Sequence, residues 1–480
     1  MNYTDYDDDI NDSPSREEMN DRIRRFRKAM KSNSDEVPNI ETLENLVQFC
    51  IEEEKFEDAA TFCKLWVESF PYSNEAWQKY AFIQLNLDQL DNAEKSIAKA
   101  ISINPIDIDT ILTKAMIHDA VGEFEKAMEL LDQSLIIDPS NEEVLFQKGV
   151  TLESMGSWKE ALDVFQYLYS SDISENLKKD SLQEMAFCSN NLGDFDKAIE
   201  IYKLAINEDP YDHLLWYNRG VLHNQKEQFY QALECYEFVL AIKEDFAPAW
   251  YNKGNTLSFQ GKLYEAIEAY KEALKYNDSD VDTLHNIAGS YGDTGEYAKA
   301  IDFFNRAIEL RPNSYHSYFG RGICFDAIEL YDKALIDYNK AIELRGNVSD
   351  IWYAKADTLY NMVQLEEAAE CYLKVINLDP ENFECLYDYG ITLFEIDKFE
   401  EAKKIFLKLA RITPKWGEVF YSLAKVFAIQ GDNNAAAKHL LKAFMLDARK
   451  EDEFFDDFNL IIPDLKPLME CLDKYSGFKE

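Results

Sequence analysis

The chain has 480 residues, 46% of them apolar, and 90 acidic against 50 basic side chains leave a net charge of −40. Such a surface repels phosphate backbones instead of releasing their counterions, which excludes nucleic acid as the expected partner. The start lacks the basic and apolar runs of a secretory signal, and no stretch reaches about 18 uninterrupted apolar residues, so a cytoplasmic protein without membrane insertion is expected.

Residues 1 to 15 are acidic and poor in apolar side chains, the composition of a disordered tail. The adjoining "REEMNDRIRRFRKAMK" sets Met19, Ile23, Phe26 and Met30 on one helical face among arginines and lysines. Three roles suit this basic segment: a cap on the first structural unit, an arm that competes with ligand for an acidic groove, or a contact with membrane or nucleic acid. Residues 1–36 therefore form a segment distinct from the rest of the chain.

From residue 37 to 447 one alanine recurs with its surroundings, at Ala59, Ala93, Ala127 and Ala161, then from Ala198 to Ala436. Every step is 34 residues except one of 37 between Ala161 and Ala198. Twelve residues before each lies a compact residue, among them Gly149, Gly220, Gly254 and Gly390. Within a unit, "AWYNKGNTLSFQG" and "LYEAIEAYKEAL" each place apolar residues three and four apart, joined by a polar turn around Gln260 and Gly261. Twelve two-helix units are predicted, each hiding its apolar face only by stacking on its neighbours. The extra three residues fall in "YLYSSDISENLKKD" and predict a longer connection there, either a tolerated surface insertion or a hinge. At the end, residues 448–480 leave the register, and their apolar side chains are expected to cap the last unit.

The period and the residues Trp250, Gly254, Leu257, Ala266, Tyr270 and Ala273 resemble the tetratricopeptide repeat (TPR). The resemblance implies an all-α, α-α superhelical solenoid of helix-turn-helix repeats, with the first helix of each unit lining a concave groove. Departures occur where the closing proline is replaced by Glu244, Asp278 and Gly346.

Asn218, Asn252 and Asn286 share one slot in three successive units, with Asn255 one turn from Asn252. Amides spaced by one repeat suit the backbone of an extended peptide, and the arrangement is similar to the asparagine ladder of some family members, including the glycosyltransferase that transfers N-acetylglucosamine. One residue earlier stands an aromatic row that includes Phe146, Tyr217, Tyr251, Tyr353, Tyr387 and Tyr421. Nine units carry an acidic residue at the start of the first helix, Asp180 among them; it complements the helix dipole and biases the groove toward basic peptides.

Six histidines in scattered slots form no zinc pattern, and no phosphate loop or nucleophile elbow occurs, so no metal, cofactor or catalytic residue is expected. Eight spread cysteines read as reduced core thiols. The expected protein is a non-catalytic scaffold or adaptor binding extended peptide segments, basic ones among them. A self-associating structural scaffold and a regulatory subunit of an enzyme complex are the alternatives.

Overall fold

A computed structural model describes residues 23–24 and 40–476. The described residues are helical and divide into two compact units, with the boundary between Gln228 and Phe229. The first holds five hairpins, from Ile40–Glu52 with Phe56–Ser69 to Glu175–Asn191 with Phe195–Glu208, and then the helix His213–Gln225. The second opens on Phe229–Ile242 and continues through six hairpins, from Ala247–Phe259 with Leu263–Tyr276 to Gly417–Ile429 with Asn433–Leu446. Within each unit every hairpin stacks on the next, as in an all-α solenoid. Consecutive first helices approach one another more closely than consecutive second helices do, so the first helices form the inner face.

Each repeating residue type has a measurable cause. All twelve period-marking alanines, from Ala59 to Ala436, are completely buried. The compact slot faces a ring: a Cβ added to Gly254 would lie 2.5 Å from Tyr270, and one on Gly149 2.5 Å from Phe165. A side chain there must displace the ring, an overpacking worth about 1–3 kcal/mol. Tryptophans pin the joint between hairpins. The indole N–H groups of Trp77, Trp216, Trp250 and Trp352 each donate to the carbonyl six residues earlier, at 2.9–3.0 Å. Because the acceptor is backbone, Glu244 and Gly346 serve as well as Pro71 and Pro210, which explains why the missing prolines do not break the stack.

The turn inside the hairpin is closed by one left-handed residue five positions before the alanine. Six are glycines, including Gly261 at φ 73°; the others are Glu54, Asp88, Glu227, Glu329, Val363 and Asp397, at φ 54–60°. The amide of Lys262 then reaches back to the carbonyl of Leu257 at 2.9 Å, a Schellman closure. Val363 is the costly member, since a β-branched side chain strongly disfavours positive φ.

The expected long connection before the fifth unit is not there. Four residues, 171–174, join the helices, as 138–141 do one hairpin earlier. The three extra residues, and one that the preceding helix gives up (13 residues against 14), instead lengthen the next helix, which runs for 17 residues, Glu175–Asn191, against 13 for its counterparts. Helix is the cheaper place for them, because each added residue there satisfies its own backbone groups. Asp180 consequently sits inside the helix and not at its start, and burial raises its carboxyl above the ordinary range.

Beyond the last repeat, Arg449–Ile461 and Lys466–Ser476 depart from the hairpin pattern, the latter packing back on Asn433–Leu446. Phe458 and Leu468 are fully buried against that end. At the other end Ile23 is buried within the cluster of the first hairpin, with Leu43, Leu46 and Trp66. Met19, Phe26 and Met30 lie outside the described residues, as do the acidic tail and the ends of segments 1–36 and 448–480.

Candidate peptide-binding face

The inner face of each unit is built from the same two neighbouring slots on each first helix, fourteen and fifteen residues before the alanine. A recurring bond links them: the side chain in the earlier slot reaches the later slot of the next hairpin, 35 residues on. In the first unit the Gln78 amide donates to Thr113 Oγ1 at 2.7 Å. In the second, Tyr353 donates to Asp388 Oδ2 at 2.6 Å, and Tyr387 and Ser422 share a bond of 3.1 Å. Asn286 donates to the Tyr251 hydroxyl at 3.2 Å.

Asn286 also donates to Asn255 Oδ1 at 3.0 Å, and the same oxygen accepts from Tyr270 at 2.8 Å. Both Asn286 donors are thereby spent inside the stack. Asn252 is half-buried and engaged with neighbours. Asn218, in the first unit, is exposed, and its amide near Tyr202 partly offsets the burial that raises that phenol. Tyr217, Tyr251, Tyr353 and Tyr387 are half-buried. Tyr251 lines a cavity of about 290 Å³ with Pro248, Asp280 and Thr283. Tyr421 is only 4% exposed, because Phe458 of the C-terminal segment packs on it at 5.7 Å.

Carboxylates crowd this face. In the first unit the Cys188 thiol donates to Glu153 Oε1 at 2.9 Å, and burial with the neighbouring Glu184 lifts the Glu153 carboxyl to about 7. Burial raises Glu184 and Asp119 as well. In the second unit burial raises Asp388 and lifts Asp357 to about 6, although Tyr353 and Tyr372 donate to them. A carboxyl held up by burial and like charge gains most from an incoming cation.

The structure also brings Phe146 of the aromatic row together with residues that no pattern in the sequence marked. In the first unit a cleft of about 400 Å³ is lined by first-helix side chains of five consecutive hairpins. Leu112, Met116 and Phe146 supply apolar surface, and Gln48, Gln78 and Gln147 supply amides. The signal was present in register, since Gln78, Leu112 and Phe146 occupy the slot that Tyr251 and Tyr353 fill later. Varied chemistry in one slot hid it.

Two histidines bond locally: His118 Nδ1 lies 2.7 Å from Glu123 and His223 Nδ1 2.7 Å from Gln228, both five residues on, across the hairpin turn. Among the described residues no group of three His, Cys, Asp or Glu side chains is placed to hold a metal, and no helix is long and apolar enough to cross a membrane.

Family models described as Tetratricopeptide repeat match residues 75–107, 180–212, 247–280, 279–347, 349–382 and 371–404. Two curated proteins are similar over part of their length. The BBSome complex member BBS4 of Bos taurus is 26% identical over 152 residues, 31% of this chain and 28% of that one. The probable UDP-N-acetylglucosamine–peptide N-acetylglucosaminyltransferase SPINDLY of Hordeum vulgare is 22% identical over 163 residues, 33% of this chain and 17% of that one. The match thus spans less than a third of either relative. Among solved structures, YrrB, a TPR protein with an unusual peptide-binding site, aligns with a TM-score of 0.35 at 23% identity, over 39% of this chain and 96% of YrrB. The C-terminal part of a TPR repeat-containing protein from Cytophaga hutchinsonii gives 0.44 at 19% identity, over 50% and 98%. With the matches to the repeat models, the succession of hairpins within each unit and the twelve buried alanines, the chain belongs to the tetratricopeptide repeat proteins.

Proposed function

We propose that this protein is a non-catalytic scaffold that holds extended segments of partner proteins on the inner face of its first helices, and that it prefers segments bearing lysine or arginine. The observation that carries this reading is the cleft of the first unit, where side chains from five consecutive first helices converge on about 400 Å³. A ligand spanning five hairpins is an extended chain, and amides at Gln48, Gln78 and Gln147 match its backbone groups without demanding a sequence. The raised carboxyls of Glu153, Glu184 and Asp388 supply the preference for cations. Asn218, Asn252, Asn255 and Asn286, with Tyr217, Tyr251, Tyr353 and Tyr387, extend the same use of the slots. Tyr421 is left out because it is covered. The working compartment is the cytoplasm, in keeping with seven buried free cysteines.

The test is capture from cell lysate with the wild type, with Asn218→Ala/Asn252→Ala/Asn286→Ala, and with Met116→Glu/Phe146→Glu, read by mass spectrometry. Partners lost from the folded variants support the inner face. Identical partners on all three proteins would remove it.

A further inference from the structure

A second, chemically distinct surface lies on the side of the second helices, within the second unit. Between Phe229–Ile242 and Leu263–Tyr276 runs a cleft of about 1000 Å³, floored by Leu233, Trp250, Leu257 and Ala269. Glu234, Glu237, Glu265, Glu268 and Glu272 line it against two lysines, Lys253 and Lys262. Tyr230 and Tyr264 stand at its rim, 76% and 63% exposed, and Phe238 beside them is 44% exposed.

The repeat supplies an internal control. The slot two residues before the alanine is aromatic only at Tyr230 and Tyr264; elsewhere it holds residues such as Asp91, Glu125, Asp196 and Glu400. Three repeats further on, the corresponding cleft keeps its floor in Leu335, Trp352 and Leu359 but measures only about 380 Å³. There Asp332 and Glu366 replace the two tyrosines, and Asn339 and Lys374 replace Glu237 and Glu272. The floor is thus a product of stacking, whereas the two rim tyrosines and the five-carboxylate wall are missing from that later cleft. Two large rings held in water gain nothing for the solenoid. They offer a partner apolar area and π-faces for cations.

We infer that this cleft is a second docking site, taking an amphipathic helical segment of a partner protein that seats large apolar side chains on the Trp250–Leu257 floor and sets arginines or lysines against the glutamates and tyrosines. Charge complementarity selects this occupant: Glu237, Glu268 and Glu272 are already paired with Lys253, Lys271 and Lys275, and Glu234 and Glu265 remain for an incoming cation. The walls are 14-residue helices, about 20 Å long, which matches three to four turns of a bound helix. The chain's own basic segment is not this occupant, since Ile23 at its centre is buried in the first hairpin.

The full-length protein is panned against a random peptide library, and selected peptides are measured by fluorescence anisotropy on the wild type and three variants. Tyr230→Asp/Tyr264→Glu installs what other repeats carry in the same slot, so the fold is retained, as circular dichroism checks. The expected result is enrichment of peptides combining Lys or Arg with Leu, Phe or Trp, whose Kd rises at least about tenfold in this variant. Tyr230→Phe/Tyr264→Phe keeps binding, because the rings remain. Asn218→Ala/Asn252→Ala/Asn286→Ala leaves it unchanged. Equal binding to wild type and Tyr230→Asp/Tyr264→Glu overturns the inference, as does failure to enrich such peptides. Loss in the asparagine variant instead would support the inner-face reading and overturn this one. Light scattering that shows self-association of the wild type, abolished in Tyr230→Asp/Tyr264→Glu, would assign the cleft to a second copy and overturn the partner segment.

Discussion

The inner faces of the two units use one backbone for different ends. In the first, Gln78, Leu112 and Phe146 fill the slot fifteen residues before the alanine, and the face opens into a cleft of about 400 Å³. In the second, Tyr251, Tyr353 and Tyr387 fill the same slot and bond to the next hairpin through Asn286, Asp388 and Ser422. A tyrosine is long and rigid enough to place a hydroxyl on the neighbouring helix, so it braces the stack where a leucine leaves room. Repeats with identical helices thereby divide the work of holding together and of opening to a ligand.

The largest expected effect breaks that contrast. Tyr353→Phe removes the donor to Asp388, whose carboxyl is already raised by burial, and leaves it without that bond. A loss of about 1–3 kcal/mol in the stability of the second unit is expected, measured by denaturant unfolding. Gln78→Ala at the equivalent slot of the first unit is expected to cost less, at about 0.5–1.5 kcal/mol. Equal losses would show that the tyrosines brace nothing.

Next comes pH. Glu153 titrates near 7 in the folded first unit against an ordinary value of 4.5, so the folded state holds its proton longer than the unfolded chain does. Its contribution is present below about 4.5 and is lost as pH rises through about 7. Because the site is only half shielded from solvent, the loss is on the order of 1 kcal/mol. Unfolding of the wild type at pH 5 and pH 8, compared with Glu153→Gln, reads it directly: the variant should be the less pH-dependent. An unchanged pH slope would return Glu153 to an ordinary exposed carboxylate.

The smallest change sharpens the comparison by leaving the inner face alone. Val363→Gly relieves a left-handed turn at φ 60° in the hairpin that carries Tyr353. A gain of about 0.5–1 kcal/mol in the second unit is expected, with peptide binding untouched. A loss of stability would mean that the valine side chain, 77% exposed, contributes packing that the turn geometry does not show.

Much of this was legible in one chain. The spacing of Ala266 and Ala300 marked the hairpins, and the glycine at 254 marked a compact slot, which the structure sets against Tyr270. Gly261 marked a turn, but Val363 and Asp397 adopt the same left-handed conformation with no local sign of it, because closure of the hairpin imposes it. The candidate residues Asn286 and Tyr251 were found as two rows, while their bond to each other was not. The extra residues before Ala198 were expected in a connection and lengthen a helix instead.

The sequence by itself determined what is decided within 34 residues: the period, the pairing of a small residue with a large one, the turn and the helical faces. Only the tertiary structure decided what depends on the next repeat. It set which inner side chains bond across 35 residues and which line an open cleft, that Tyr421 is covered by Phe458, and that Tyr230 and Tyr264 flank one acidic hollow. The physical reason is that a helix fixes the direction of its own side chains, whereas reach, burial and shared charge are settled by the neighbour against which it stacks.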